Sequence, residues 1–157
     1  MDSPNSKPRR IILCEGSGDE AFFRHLIPKR GLPEFEIIYP KSTEDGGRGG
    51  FAKRLMALKA ESRFRHVSGI LVVSDNDDDP GKSLSEVQDQ LRDAGYGVPQ
   101  GTLTPATGAE TPPVVIMMLP WAGEPGNLET LCLRAMYDAS PELSKCVDEF
   151  CKCAGVH

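Results

Sequence analysis

Short blocks of consecutive apolar residues alternate along this chain with longer stretches whose apolar positions recur every third or fourth residue. The blocks I-I-L-C, F-E-I-I-Y, I-L-V-V and V-V-I-M-M-L have the length and composition of strands held inside a sheet. Strands are therefore expected over residues 10–14, 35–39, 67–74 and 114–119. Helices are expected over residues 19–26, 51–64, 83–94 and 127–137, where the apolar residues fall on one face. In the first of these Ala21, Phe22, Phe23 and Leu26 form that face, and Pro28 is expected to end it. Leu84, Val87 and Leu91 define the third, Asn127 is placed to cap the fourth, and a last helix is expected from Pro141 through the tail, 141–157. Strand–helix alternation of this kind specifies an α/β, Rossmann-like fold: a mostly parallel sheet of about four strands with helices on both faces.

Two stretches break the alternation. The segment K-S-T-E-D-G-G-R-G-G, residues 41–50, reads as a flexible loop, and residues 95–113, rich in Gly, Pro and Thr, read as a long excursion at a sheet edge. Neither marks a domain boundary, so the 157 residues are expected to form one domain with its core over about 9–137.

Composition narrows the classes of function. A net charge of −5 argues against wrapping nucleic acid through a generally basic surface, which leaves room only for a local basic groove. No stretch approaches the roughly 20 apolar residues of a membrane span. Five cysteines, an odd number, without a signal peptide point to reduced thiols and a cytoplasmic protein.

The chemistry-bearing residues cluster at strand ends. The first strand finishes in E-G-S-G-D, with Glu15 at its tip and Asp19 in the first turn of the next helix; the third finishes in S-D-N-D, with Asp75 and Asp77 two apart in extended chain and so facing one side. Ligands of open parallel sheets bind at those ends. If the two strands are neighbours the four carboxylates converge, and like charges that close need a counter-ion, most naturally Mg²⁺ or Mn²⁺ with its preference for oxygen ligands.

I-I-L-C-E-G-S-G-D and I-L-V-V-S-D-N-D, together with V-V-I-M-M-L-P and P-G-N-L-E-T-L, resemble the motifs of the Toprim domain. This is the metal-binding α/β unit of topoisomerases, bacterial primases, recombination proteins and the overcoming-lysogenization-defect nucleases. The resemblance is greatest to small stand-alone Toprim-like proteins of that nuclease branch. It implies a metal-dependent nuclease or nuclease-like phosphotransferase acting on nucleic acid, DNA before RNA. Asp75 and Asp77 would hold the metal, Asp19 would complete a second position, Glu15 would act as general acid/base or bridging ligand, and Glu129 would be a further acidic neighbour. Trp121 stands where the family usually has a polar residue. Many of these nucleases carry an ATPase domain, which suggests an ATPase as a partner and, alternatively, a non-catalytic binding or regulatory subunit.

Other readings attach to single motifs. Asp75, Asp77, Asp79 and Glu86 fit positions 1, 3, 5 and 12 of a calcium loop, but Pro80 stands where the sharp turn requires glycine. Asp78 and Asp79 read as solvated turn residues. Arg48, Lys53 and Lys82 are candidate phosphate contacts, Lys82 with an alternative pairing to Asp78 or Asp79. Trp121 is suited to stacking on a base or to capping the core. Cys146, Cys151, Cys153 and His157 contain zinc-type ligands at an unusual spacing, with reduced helix cysteines as the default.

Overall fold

Strand β1 (Arg9–Leu13) leads into helix α1 (Ser17–Lys29), and β2 (Glu36–Ile38) is followed by a 3-10 turn, Gly47–Gly50, that runs directly into α2 (Phe51–Lys59). Strand β3 (Val67–Asp75), helix α3 (Pro80–Asp93), strand β4 (Val114–Leu119), helix α4 (Leu128–Ala139) and helix α5 (Pro141–Ala154) complete the order. This computed structural model describes residues 8–41 and 46–155, so His157 and part of the loop over 41–50 lie outside the described residues.

The four strands form one all-parallel sheet in the order β2-β1-β3-β4. The chain moves outward from β1 to β2, then crosses back over β1 to β3. The carboxyl ends of β1 and β3 therefore flank the switch point of the sheet, where connections leave toward opposite faces. One face packs Phe51, Leu55 and Leu58 of α2 and Val87 and Leu91 of α3 against Ile11, Leu13, Ile70 and Val72. The other packs Phe23 and Ile27 of α1 and Leu128 of α4 against Ile12, Val73 and Leu119. The α/β architecture with helices on both faces is thus present, and the unbroken apolar run of β3 is explained by its place in the middle of the sheet.

The element ends differ from expectation for local reasons. Helix α1 carries Pro28 inside its last turn, where few further backbone bonds are at stake, and stops only after Lys29. Helix α2 ends at Lys59 rather than near 64, and Glu61 in the following turn pairs with Arg9 and Arg54. Helix α3 starts three residues early, because the Asp79 side chain accepts the Lys82 amide hydrogen at 3.0 Å and Pro80 at its first position has its φ preset. Asn127 caps α4 as expected, accepting from the Thr130 amide at 3.0 Å. The excursion over 95–113 lies along β4: Leu103 donates to Ile116, and Ala106 and Val114 exchange two backbone bonds, so the otherwise open edge of that strand is occupied.

Candidate functional site

The adjacency of β1 and β3 brings the two acidic strand ends into contact. Glu15 Oε1 accepts the Asp75 amide hydrogen at 3.0 Å and the hydroxyl hydrogen of buried Ser74. Asp19 turns back from the first turn of α1, its Oδ2 accepting from the amides of Glu15 at 3.1 Å and Gly16 at 3.0 Å. Asp75 Oδ1 accepts from the Leu128 amide at 3.0 Å, so this carboxylate sits at the amino end of α4 and is steadied by the helix dipole. The described bonds engage one oxygen of each of these three carboxylates, Glu15 Oε1, Asp19 Oδ2 and Asp75 Oδ1.

Electrostatics confirm the crowding. The Asp75 carboxyl is pushed up from 3.8 to about 7, first by burial and then by the charges of Glu15 and Asp19, with a smaller push from Asp77. Asp19 is also raised, by burial, by Glu15 and by Glu129 from the first turn of α4. The five predicted carboxylates thus act on one another across three elements.

Asp77 reaches this neighbourhood by a different route from the one expected. It does not continue the strand beyond Asp75; its φ of +49° places it in the left-handed region, and its amide and carbonyl make a two-bond bridge with Gly126. Gly126 has φ +128°, and a Cβ there would lie 2.7 Å from Thr130 Oγ1, so only glycine lets the 120–126 loop close against Asp77. The residue between the two acids, Asn76, is buried and uses its Nδ2 to bind the carbonyls of Trp121 and Glu124. The S-D-N-D end is consequently a clamp on the 120–126 loop as well as an acidic cluster.

Arg48 is the cation that meets this cluster. Its guanidinium donates to the Asp75 carbonyl at 3.1 Å and to the Asp77 carboxylate, and lies 3.3 Å from Glu86. The glycines around it let the chain pass close to the strand ends: a Cβ on Gly47, whose φ is +65°, would stand 3.5 Å from Glu15 Oε2. Lys53 is exposed on α2. Lys82 is exposed and its ammonium lies 3.9 Å from Glu86, rather than against Asp78 or Asp79. The calcium-loop pattern also dissolves, since Asp79 is a helix cap and Glu86 faces Arg48 and Lys82.

Among the described residues no group of three or more His, Cys, Asp or Glu side chains is gathered closely enough to hold a metal ion, and the tail cysteines form no such group. The carboxylates converge in charge and in chemistry, being all hard oxygen donors. Their described partners are backbone amides, the Ser74 hydroxyl and Arg48.

Trp121 is partly exposed, with the Arg134 guanidinium 4.9 Å from its ring centre, and it lines an apolar hollow with Phe22, Phe23, Leu103 and Met117. Sequence reasoning missed Ser74, Asn76 and Gly126, whose contribution is to fix the acids in place, and met Glu86 only as a calcium-loop position rather than as a partner of Arg48. Only Ser74 and Asn76 carried a signal, as polar residues embedded at the end of an apolar strand.

The molecule is therefore an α/β protein with an acidic cluster at the switch point of a parallel sheet. Over residues 9–155 the chain matches the family described as "Protein of unknown function (DUF3226)", and it belongs to that family. No curated protein and no solved structure matches it. No helix is long and apolar enough to cross a membrane among the described residues.

Proposed function

We propose that the acidic cluster is the centre of a Toprim-like, metal-dependent nuclease or nuclease-like phosphotransferase. The observation that carries the reading is the direct contact between the two acidic strand ends, Glu15 Oε1 with the Asp75 amide, at the sheet position where α/β proteins bind ligands. Glu15, Asp19, Asp75 and Asp77 would have to draw closer together to hold Mg²⁺ or Mn²⁺, with Glu129 adjacent. The ion would supply Lewis-acid polarisation of a phosphodiester. The chain's own part is to aim the carboxylates: the Ser74 and Asp75 donors orient Glu15, the amino end of α4 orients Asp75, and the amides of Glu15 and Gly16 orient Asp19. Glu15, nearest the strand tip, is the candidate proton carrier. Arg48 is free to exchange its carboxylate partners for a phosphate oxygen, the geometry for which an arginine fork is suited. The substrate is nucleic acid, DNA before RNA, and a partner ATPase is consistent with the reading. Purified protein with supercoiled plasmid, linear DNA or RNA in Mg²⁺ or Mn²⁺ tests the proposal. Cleavage lost in Glu15→Ala and Asp75→Ala supports it, and no cleavage by wild type, or cleavage unchanged in both variants, refutes it.

One observation favours a second reading, a non-catalytic binding or regulatory subunit: Arg48 already neutralises part of the cluster without any ion. Wild type that binds Mn²⁺ and a partner but leaves every nucleic acid intact would select it.

A further inference from the structure

A hollow of about 500 Å³ opens at the other end of the sheet, where β1, β2 and the turn before β3 begin. Arg9, which lines it, and Glu15 are six residues of extended chain apart, roughly 20 Å, so the hollow is separate from the acidic cluster. Its walls include Arg9, Arg10, Arg63, Glu34 and Phe35. Arg9 is only 9% exposed and is fixed on two sides, by Glu36 at 2.8 Å and Glu61 at 3.1 Å. Its remaining nitrogen, Nη1, is buried with no hydrogen-bond partner among the described residues. A guanidinium held this way cannot turn to water, and buried donors are rarely left without an acceptor. Arg10 and Arg63 are exposed and make no ion pair among the described residues, so two further guanidinium groups line the same hollow. Glu34 excludes a ligand that is anionic throughout. An adjoining hollow of about 300 Å³ shares Glu34 and Phe35 and adds the apolar surface of Ile27 and Leu32.

A buried guanidinium with one unpartnered nitrogen, the exposed Arg10 and Arg63, the carboxylates Glu34 and Glu36, the second already held by Arg9, and an apolar annex with an aromatic ring together describe a ligand with a phosphate at one end and a flat ring bearing hydrogen-bond donors at the other. We propose that this paired hollow binds a free mononucleotide. The phosphate lies among the guanidinium groups of Arg9, Arg10 and Arg63, the base packs against Phe35 in the annex, and Glu34 accepts from a ribose hydroxyl or a base amino group. The combined size suits such a ligand, since small-molecule sites typically measure about 300–1,000 Å³.

The test is isothermal titration of the full chain in EDTA with the four ribonucleoside 5′-monophosphates, adenosine and inorganic phosphate as probes. EDTA separates this site from any metal-dependent binding at the acidic cluster. At least one monophosphate is expected to bind more tightly than adenosine or phosphate. Arg10→Gln and Arg63→Gln, both at exposed positions, should each weaken it roughly tenfold, the size of one charge-assisted hydrogen bond. Asp75→Asn should leave it unchanged. No binding of any monophosphate at millimolar concentration overturns the proposal, as does binding that survives both arginine substitutions or is lost in Asp75→Asn. The first two failures leave the reading of the acidic cluster untouched.

Discussion

Asp75→Asn isolates the electrostatic cost of the acidic cluster. The amide keeps an oxygen for the Leu128 amide hydrogen and removes the charge that faces Glu15, Asp19 and Asp77. The gap between 3.8 and about 7 sets an upper bound of about 4 kcal/mol on what ionisation of this carboxyl costs the fold. The group is only half-buried, so water screens much of that, and about 1–2 kcal/mol is the expected net gain for the variant at pH 8. The pH dependence follows from the raised value. At pH 8 folded Asp75 is ionised and the penalty is fully present. As pH falls through about 7, folded Asp75 takes up a proton that the unfolded chain, titrating near 3.8, does not, and the penalty fades. Below 3.8 both states are protonated and the two proteins should be equally stable. Urea denaturation and thermal melting in EDTA from pH 8 to pH 4 measure this, with an expected rise in Tm of about 3–6 °C at pH 8 for a chain of this size. A variant no more stable than wild type at pH 8, or an advantage that does not shrink toward pH 4, would refute the reasoning. With Mn²⁺ added at pH 8 the order should reverse, because wild type gains binding energy that the variant lacks.

Arg48→Gln removes the internal cation and should tighten Mn²⁺ binding roughly tenfold, about 1.4 kcal/mol, read as a leftward shift of the stabilisation curve against Mn²⁺ concentration; an unchanged midpoint would show that Arg48 does not compete with the ion. Tyr96→Phe strips the buried hydroxyl that donates to the Leu55 carbonyl at 3.1 Å and should cost about 1–2 kcal/mol in urea denaturation, whereas a neutral result would mean that water replaces the bond. Cys14 is fully buried and its thiol is pushed up to about 12, chiefly by burial, so native protein at pH 8 should alkylate at Cys132, Cys146 and Cys153 long before Cys14; equal labelling would contradict its burial.

The strands and most helix positions were legible because burial in a parallel sheet demands runs such as I-L-V-V, and because a helix packed on one side demands the spacing of Leu84, Val87 and Leu91. Element ends were less legible. Whether Pro28 stops a helix depends on how many turns remain, and whether α3 starts at 80 or 83 depends on which side chain captures the first amides. The acids Glu15, Asp19 and Asp75 could be named from their places at strand ends. Asp77 was named for the wrong reason, because alternation in an extended chain cannot foresee a left-handed residue bridged to Gly126, far along the chain.

Sequence by itself determined the α/β class, the order of its elements and the accumulation of carboxylate at two strand ends, all of which rest on periodicity and local residue type. Only the tertiary structure decided that β1 and β3 are neighbours, because strand order depends on which crossovers pack, not on any single segment. It alone placed Arg48 among the acids, Leu128 at the Asp75 carboxylate and Arg9 beneath a hollow at the far end of the sheet. Each of those contacts joins residues far apart in the chain, and their energies depend on distance and burial that no local pattern encodes.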